Sequence, residues 1–127
     1  MQGLIQRVTH ANVAIEKQIV GEIKQGIVLL LGVEKEDDER VADKLLHKVS
    51  NYRIFSDEND KMNLSLKDIQ GELLVISQFT LAANTKKGMR PSFSSAATPD
   101  QAQALYNYFV EQAKLLGIKV ATGVFAA

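Results

Sequence analysis

The chain has 127 residues, of which 46% are hydrophobic and none is cysteine, and its 15 basic and 15 acidic side chains give a formal net charge of zero. This length fits one domain with an ordinary core, and the lack of cysteine excludes disulfides, thiol nucleophiles and cysteine-based metal sites. The neutral charge argues against a protein that coats nucleic acid, although it is compatible with one that grips a short piece.

The first third of the chain is typical of β-structure. Two β-rich runs, Leu4–Val8 and Asn12–Ile15, are followed by the turn "EKQ" and a short strand at Ile19–Ile23. A second turn, "KQG", uses Gly26, which is free to adopt positive φ. Ile27–Val33 is apolar throughout, as expected for a strand that is covered on both faces.

A polar cluster, "EKEDDER", opens the first predicted helix. Val41, Leu45, Leu46 and Val49 follow helical spacing, and the acidic residues stand at the end where the helix dipole favours negative charge. "YRIF" returns to extended structure, and "SDENDKMNLSLKDIQG" is polar enough to form a long loop or an irregular hairpin arm. "ELLVISQFTLA" predicts the next strand.

The second predicted helix has clear boundaries. Thr98 is its expected N-cap, Pro99 its first residue, Gln101 the capping-box partner and Gly117 the C-terminal stop. Its predicted apolar face holds Ala102, Leu105, Tyr106, Phe109, Ala113 and Leu116. With "IKVATGVF" as a final strand, the order of elements predicts an α+β fold in which two helices pack on a curved or barrel-like sheet.

Sequence motifs exclude several functional classes. There is no G-x-S-x-G elbow, H-E-x-x-H pair or P-loop, so we expect neither a metal nor a cofactor. "DENDKMNLSL" fails as a calcium loop, because Lys61 occupies a ligand position and Met62 replaces the required glycine. We interpret His10 and His47 as structural or surface residues, since a functional histidine needs an orienting partner. A Ser-His-Asp hydrolase therefore has no visible base.

Signals for membrane insertion or export are also missing from the sequence. No apolar run approaches the roughly 18 residues of a membrane span. The N-terminus, "MQGLIQRV", lacks the charged-then-apolar pattern of a signal peptide. We therefore expect a cytoplasmic protein without a membrane partner.

The strand "ELLVISQFTL" ends in hydroxyl and amide side chains. On a strand, Gln78 and Thr80 share one face, whereas Ser77, Phe79 and Leu81 share the other. A hydroxyl two residues from an amide can grip a small polar ligand, and backbone N–H groups at a strand end can stabilise an oxyanion. On spacing alone, an ordinary polar strand end is the better interpretation, because so short a pattern is a weak motif.

The loop that follows this strand is basic. Lys86, Lys87 and Arg90 precede Phe93, and basic residues near an aromatic ring can follow a phosphate backbone and stack a base. Pro91 fixes its own φ and favours an extended Arg90. Charge alone still favours an ordinary solvated loop over a nucleic-acid contact.

Six stretches of the sequence carry more information together than any single motif. They are "LIQRV", "LLLGVEKED", "KVSNYRIFSDENDKMNLSL", "GELLVISQFTLAA", "KKGMRPSF" and "ATGVFAA". In this order, and over nearly the whole chain, they closely resemble the D-aminoacyl-tRNA deacylases of the bacterial type. The resemblance implies one deacylase domain over residues 1–127, a barrel-like and mainly antiparallel sheet with two packed helices, and a homodimer with active sites at the subunit interface.

The same resemblance implies an activity and residue roles. The activity is hydrolysis of the ester that joins a D-amino acid to the 3′ end of tRNA, with glycine mischarged on alanine tRNA as another substrate class. Ser77, Gln78, Phe79 and Thr80 would line the pocket for the terminal adenosine and the aminoacyl ester. The 2′-hydroxyl of the terminal ribose would assist, so that side chains contribute little to the chemistry. Arg7, in "QRV", would help to hold an element that crosses from the partner subunit.

The tRNA contacts and one departure from the family pattern follow from the resemblance as well. Lys86, Lys87 and Arg90 become candidate contacts to the acceptor end of tRNA, which needs few phosphate contacts and so agrees with the zero net charge. The family's second signature, an N-x-G-P-x-T segment that excludes L-amino acids from the partner's site, does not occur in the sequence. We expect that the sequence stops short of the natural end, rather than that the last strand was lost.

Two other functions stay open. The first is a non-catalytic RNA- or ribosome-associated module with the same pocket, which would bind the 3′ end without turnover. The second is a small-molecule ester hydrolase or ligand-binding protein whose polar strand end grips a metabolite. Such a hydrolase would cleave a simple D-amino ester as readily as the tRNA ester.

Overall fold

The computed structural model describes residues 1–77 and 98–123. The elements in these residues are, in chain order, β1 (Gln2–Val8), β2 (Ala11–Ile15), β3 (Gln18–Ile23), β4 (Gly26–Gly32), α1 (Glu39–Asn51), β5 (Phe55–Ser56), β6 (Met62–Leu64), β7 (Glu72–Ser77), α2 (Pro99–Leu115) and β8 (Lys119–Thr122). This order confirms the predicted α+β class. The polar stretch after α1 forms the short hairpin of β5 and β6, in agreement with the irregular hairpin arm that its composition indicated.

Four strands form the central sheet in the order β1-β4-β7-β8. β1 is antiparallel to β4, whereas β4 and β7, and β7 and β8, are parallel. The ribbons β2–β3 and β5–β6 are antiparallel, so three of the five strand pairs in the described residues are antiparallel, as predicted. The two parallel pairs arise because α1 and α2 each carry the chain back along the sheet before the next strand begins.

The boundaries of α2 confirm the predicted helix signals, with one difference. The Thr98 hydroxyl oxygen accepts the N–H of Gln101 at 3.3 Å, and Gly117 follows the last turn with a φ of +86°. The Gln101 side chain, which we expected to complete a capping box with Thr98, instead donates to the carbonyl oxygen of Lys35 at 2.7 Å. It thereby links the start of α2 to the segment before α1.

The two helices cover one face of the central sheet. Phe109 of α2 is fully buried and Val49 of α1 is almost so. Leu116, which we predicted on the apolar face of α2, is 49% exposed, because the helix has ended at Leu115. The sheet contributes the buried residues Ile27, Leu29, Leu31, Leu73 and Val75 to this layer.

The opposite face of the sheet is only partly covered. The β2–β3 ribbon lies against β8, where a Cβ added to Gly21 would collide with the carbonyl oxygen of Thr122. This second layer agrees with the predicted barrel-like fold. Towards β1, Leu4 is 63% exposed, and Val28 and Leu30 beside it are half-buried. The sheet therefore presents a partly exposed apolar face along β1 and β4.

Candidate active site

The candidate site begins where β7 ends. Ser77 is the last residue of β7, pairs with Leu31 of β4 and is only 4% exposed. Its side chain shares the helix-covered face of the sheet with Val75, since alternate residues of a strand lie on the same face. The remaining predicted site residues, Gln78, Phe79, Thr80, Lys86, Lys87 and Arg90, lie outside the described residues.

The starts of α1 and α2 lie close together at one end of the sheet, beyond the carboxyl ends of β4 and β7. The contact between Gln101 and Lys35 joins the first turn of α2 to the segment that connects β4 with α1. The first turn of a helix has unpaired N–H groups and a partial positive charge. Ligands of parallel sheets bind outside the carboxyl ends of the strands. One N–H group in each of these two helix starts is already bonded, to the side chains of Asp38 and Thr98, so the partial positive charge of the helix starts is what this end of the sheet offers a polar ligand.

Acidic groups near this edge are partly neutralised. The α-amino group of Met1 lies 2.7 Å from the Asp37 carboxylate and 3.3 Å from the Glu34 carboxylate. Burial disfavours the charged amino group, but its hydrogen bonds to Asp37 and Glu34 outweigh this effect and raise its pKa. The amino group therefore stays protonated, and the local repulsion of an anionic ligand is reduced.

Arg7 lies in β1, at the end of the sheet opposite to the carboxyl end of β7. The register pairs Arg7 with Ile27 of β4, and Ile27 with Leu73, which stands four residues before Ser77 in β7. At about 3.3 Å per residue and about 4.8 Å between strands, Arg7 and Ser77 are roughly 16 Å apart. The Arg7 guanidinium is exposed and donates to the carbonyl oxygen of Ile54 at 2.7 Å. The structure therefore does not bring Arg7 to the strand end of its own chain.

A buried tyrosine joins α2 to the end of β7. The Tyr106 hydroxyl donates to the carbonyl oxygen of Val75 at 2.7 Å and forms a hydrogen bond with the side chain of Thr122 in β8. Burial raises the pKa of Tyr106 to about 12, and the bond with Thr122 offsets this only in part. The sequence indicated only that Tyr106 faces the core. Its hydroxyl, on an otherwise apolar helix face, was the single sign of a polar role.

The described residues offer no histidine base or metal cluster for this edge. His10 is exposed beyond β1, and the exposed His47 in α1 has its Nδ1 3.4 Å from the side-chain nitrogen of Asn51. Within residues 1–77 and 98–123, no three His, Cys, Asp or Glu side chains are grouped so that they could hold a metal ion. In the same residues, no helix is long and apolar enough to cross a membrane.

Fold and site together define a small α+β protein with a polar strand end beside two helix starts. The family model of D-Tyr-tRNA(Tyr) deacylase matches residues 4–127. The chain belongs to this family, as the resemblance implied.

Individual relatives match the whole chain. The D-aminoacyl-tRNA deacylase of Pseudoalteromonas translucida (strain TAC 125) is 78% identical over 127 residues, which are 100% of this chain and 88% of the relative. The D-aminoacyl-tRNA deacylase of Photorhabdus laumondii subsp. laumondii is 61% identical over the same share of both chains. Among solved structures, a protein described as c-Myc DNA Unwinding Element Binding Protein is similar with a TM-score of 0.86 and 36% identity, over 100% of this chain and 87% of that one.

Proposed function

We propose that this chain hydrolyses the ester bond of D-aminoacyl-tRNA and releases the free D-amino acid and the tRNA. The observation that carries this function is the 78% identity, over all 127 residues, with a relative named D-aminoacyl-tRNA deacylase. We also propose that residues 1–127 act as one deacylase domain in the cytoplasm, without metal or cofactor. Glycine mischarged on alanine tRNA is proposed as a second substrate.

The proposed reaction takes place at the end of β7. Ser77, Gln78, Phe79 and Thr80 line the pocket for the terminal adenosine and the aminoacyl group. Water adds to the ester carbonyl carbon, the bond to the ribose 3′-oxygen breaks, and that oxygen takes up a proton with the assistance of the 2′-hydroxyl. Backbone N–H groups hold the charge on the carbonyl oxygen, and one such donor contributes about 3 kcal/mol. This chemistry needs no histidine base.

The proposed assembly is a homodimer with its sites at the interface. The partly exposed apolar face along β1 and β4, on which Leu4 is 63% exposed, is a surface that a second copy would cover. The separation of Arg7 from Ser77 within one chain supports a role for Arg7 across the interface, where it would hold an element of the partner subunit.

The proposed tRNA contacts are Lys86, Lys87 and Arg90. Each phosphate contact to single-stranded RNA adds about −0.7 to the slope of log affinity against log salt concentration. Three contacts therefore predict a shallow slope of about −2. A measured slope steeper than about −4 would contradict so small a footprint.

Deacylation of D-Tyr-tRNA and L-Tyr-tRNA tests the proposed function. The 127-residue chain is compared with the same chain extended by a C-terminal segment that carries the family's N-x-G-P-x-T signature. We expect the extended chain to cleave the D-ester and to spare the L-ester, and the shorter chain to lose activity or selectivity. Failure of both chains to cleave the D-ester would overturn the enzyme function.

One further substrate and one variant test the mechanism. A tRNA that ends in 2′-deoxyadenosine should be cleaved much more slowly than the natural tRNA if the ribose hydroxyl assists. Thr80→Ala should keep most of the activity for the same reason. A loss of more than about a thousandfold in Thr80→Ala would show a direct chemical role for that side chain, since it exceeds a single electrostatic contribution.

A second candidate function is a nucleic-acid-binding module without catalysis. It is favoured by the 36% identity with the solved structure of a protein that is described as binding a DNA unwinding element. This function predicts saturable binding of the tRNA 3′ end with no release of the amino acid. The deacylation assay therefore separates the two candidates.

A further inference from the structure

We propose that Tyr106 is a positioning residue that fixes the carboxyl end of β7, the strand end at which the reaction is proposed to take place. The inference rests on the proposed deacylase function, because that proposal places the pocket at the end of this strand. Tyr106 itself belongs to α2, and we propose no contact between its side chain and the substrate.

In the part of the chain that the structure describes, the register between β7 and β8 reaches the point that Tyr106 contacts. Val75 pairs with Thr122 in this register. The Tyr106 hydroxyl donates to the carbonyl oxygen of Val75 at 2.7 Å and also bonds the side chain of Thr122. One side-chain group therefore ties both strands to α2, two residues before Ser77.

The phenol ring holds its hydroxyl in one place. Tyr106 is 5% exposed and packs in the same core cluster as Phe109 and Val110. Since a buried ring has little room to rotate, the position of the hydroxyl is set by the core. A tyrosine hydroxyl is protonated near neutral pH and so remains a donor to Val75, and burial of Tyr106, which raises its pKa to about 12, extends this to alkaline pH.

Tyr108 is a matched control on the same helix. Its hydroxyl lies 2.9 Å and 3.1 Å from the two carboxylate oxygens of Asp43 in α1. This contact joins the two helices and does not involve the sheet. Tyr108→Phe therefore removes the same hydroxyl from the same helix without touching the strand end.

The experiment compares wild type, Tyr106→Phe and Tyr108→Phe, each in the C-terminally extended chain used for the deacylation test, in three measurements. They are kcat and KM for D-Tyr-tRNA, the Tm, and the hydrogen exchange of backbone amides in residues 74–77. We expect kcat of Tyr106→Phe to fall about tenfold, less than the hundredfold that a misplacement of about 1 Å can cause. KM should change by less than about twofold, since the interactions that bind the substrate and the transition state equally are retained. Amide exchange at the end of β7 should accelerate in Tyr106→Phe only.

Thr122→Val keeps the experiment decisive if Tyr106→Phe does not fold. This change removes one partner of the hydroxyl and leaves Tyr106 in place, so we expect a smaller fall in kcat, about threefold, in line with the loss of one weak hydrogen bond. Equal kcat values in Tyr106→Phe and Tyr108→Phe, or a fall in kcat that matches the loss of folded protein, would overturn the proposal.

The proposed function and this inference fail in distinguishable ways. If neither the 127-residue chain nor its extended form cleaves D-Tyr-tRNA, the deacylase function falls, and hydrogen exchange still decides whether Tyr106 fixes the strand end. If wild type is active and exchange in residues 74–77 is unchanged by Tyr106→Phe, the deacylase function stands and the positioning role falls.

Discussion

Gly26 lies closer to Glu72 than any residue with a side chain could. A Cβ added to Gly26 would collide with the carbonyl oxygen of Glu72 and approach its carbonyl carbon and nitrogen to 2.7 Å. The N–H of Glu72 donates to the carbonyl oxygen of Gln25 at 3.0 Å, and its carboxylate accepts the N–H of Lys24 at 2.9 Å. The turn before β4 is thus fixed onto the first residue of β7, where the parallel pairing of the two strands begins.

Gly26→Ala should destabilise the protein strongly, because the backbone of β7 must move to admit a methyl group. We expect a loss of about 3 kcal/mol, at the upper end of the cost of overpacking. Gly117→Ala is the matched control, since its φ is +86° but no atom lies near the added Cβ. Its left-handed backbone should cost only about 1 kcal/mol. Urea unfolding measures both values, and equal losses would contradict the close approach at Gly26.

Gly26 also shows where prediction from the sequence ends. The pattern "KQG" suggested a turn in which Gly26 is free to adopt positive φ. Among the described glycines it is Gly117 that has positive φ, and Gly26 serves a close approach of two backbones. The ends of α2 could be predicted from the Thr98 cap and the Gly117 stop, because the partners of such local signals lie within a few residues. Contacts between segments distant in sequence leave no such local pattern.

For the candidate site, too, the sequence indicated some features and not others. The polar strand end that begins at Ser77 was visible, because hydroxyl and amide side chains interrupt an apolar run. The bond from Tyr106 to Val75 spans 31 residues and depends on how α2 lies over the sheet. The parallel pairing of β7 with its neighbours likewise depends on the crossovers. Sequence patterns therefore indicated the strand end at which we propose the site, but not the side chain that we infer to position it.

Stability at alkaline pH should depend on Tyr106. Its pKa of about 12 in the folded protein lies above that of an unfolded tyrosine, about 10. A raised pKa contributes stability that is fully present below pH of about 10 and is lost as the pH rises towards about 12. The contribution is on the order of 2 kcal/mol.

The difference between wild type and Tyr106→Phe isolates this titration, because lysines ionise in the same range in both proteins. The free energy of unfolding in urea is measured from about pH 8 to about pH 11, around the ordinary pKa of tyrosine. We expect the advantage of wild type over Tyr106→Phe to shrink as the pH rises. An advantage that stays constant would show that Tyr106 does not titrate differently on unfolding.

Phe109 should be the most sensitive single position of the helix-covered core. Its side chain is fully buried between α2 and the sheet, whereas Leu115, at the end of the same helix, is 78% exposed. Phe109→Ala leaves a cavity and should cost about 3–5 kcal/mol. Leu115→Ala should change stability by no more than about 0.5 kcal/mol. Chemical unfolding of the two variants tests this contrast, and a small loss in Phe109→Ala would mean that the core can collapse around the cavity.

The first turn of α1 should be stabilised by the N-cap hydrogen bond of Asp38 and not by its negative charge. The Asp38 carboxylate accepts the N–H of Val41 at 3.1 Å. Its ion pair with Arg40 is 3.7 Å long and exposed, and such pairs contribute little. Asp38→Ala should therefore cost about 1 kcal/mol, whereas Asp38→Asn, which can still accept the N–H bond, should stay within a few tenths of wild type.

Urea unfolding followed by far-UV circular dichroism separates these two roles of Asp38. If Asp38→Asn is as unstable as Asp38→Ala, the negative charge near the helix dipole matters more than the hydrogen bond, and salt should then weaken the wild type towards the variants. If only Asp38→Ala loses stability, the cap holds the first turn of α1. Because this turn lies beside the start of α2, its fraying would also loosen the edge of the sheet at which we place the site.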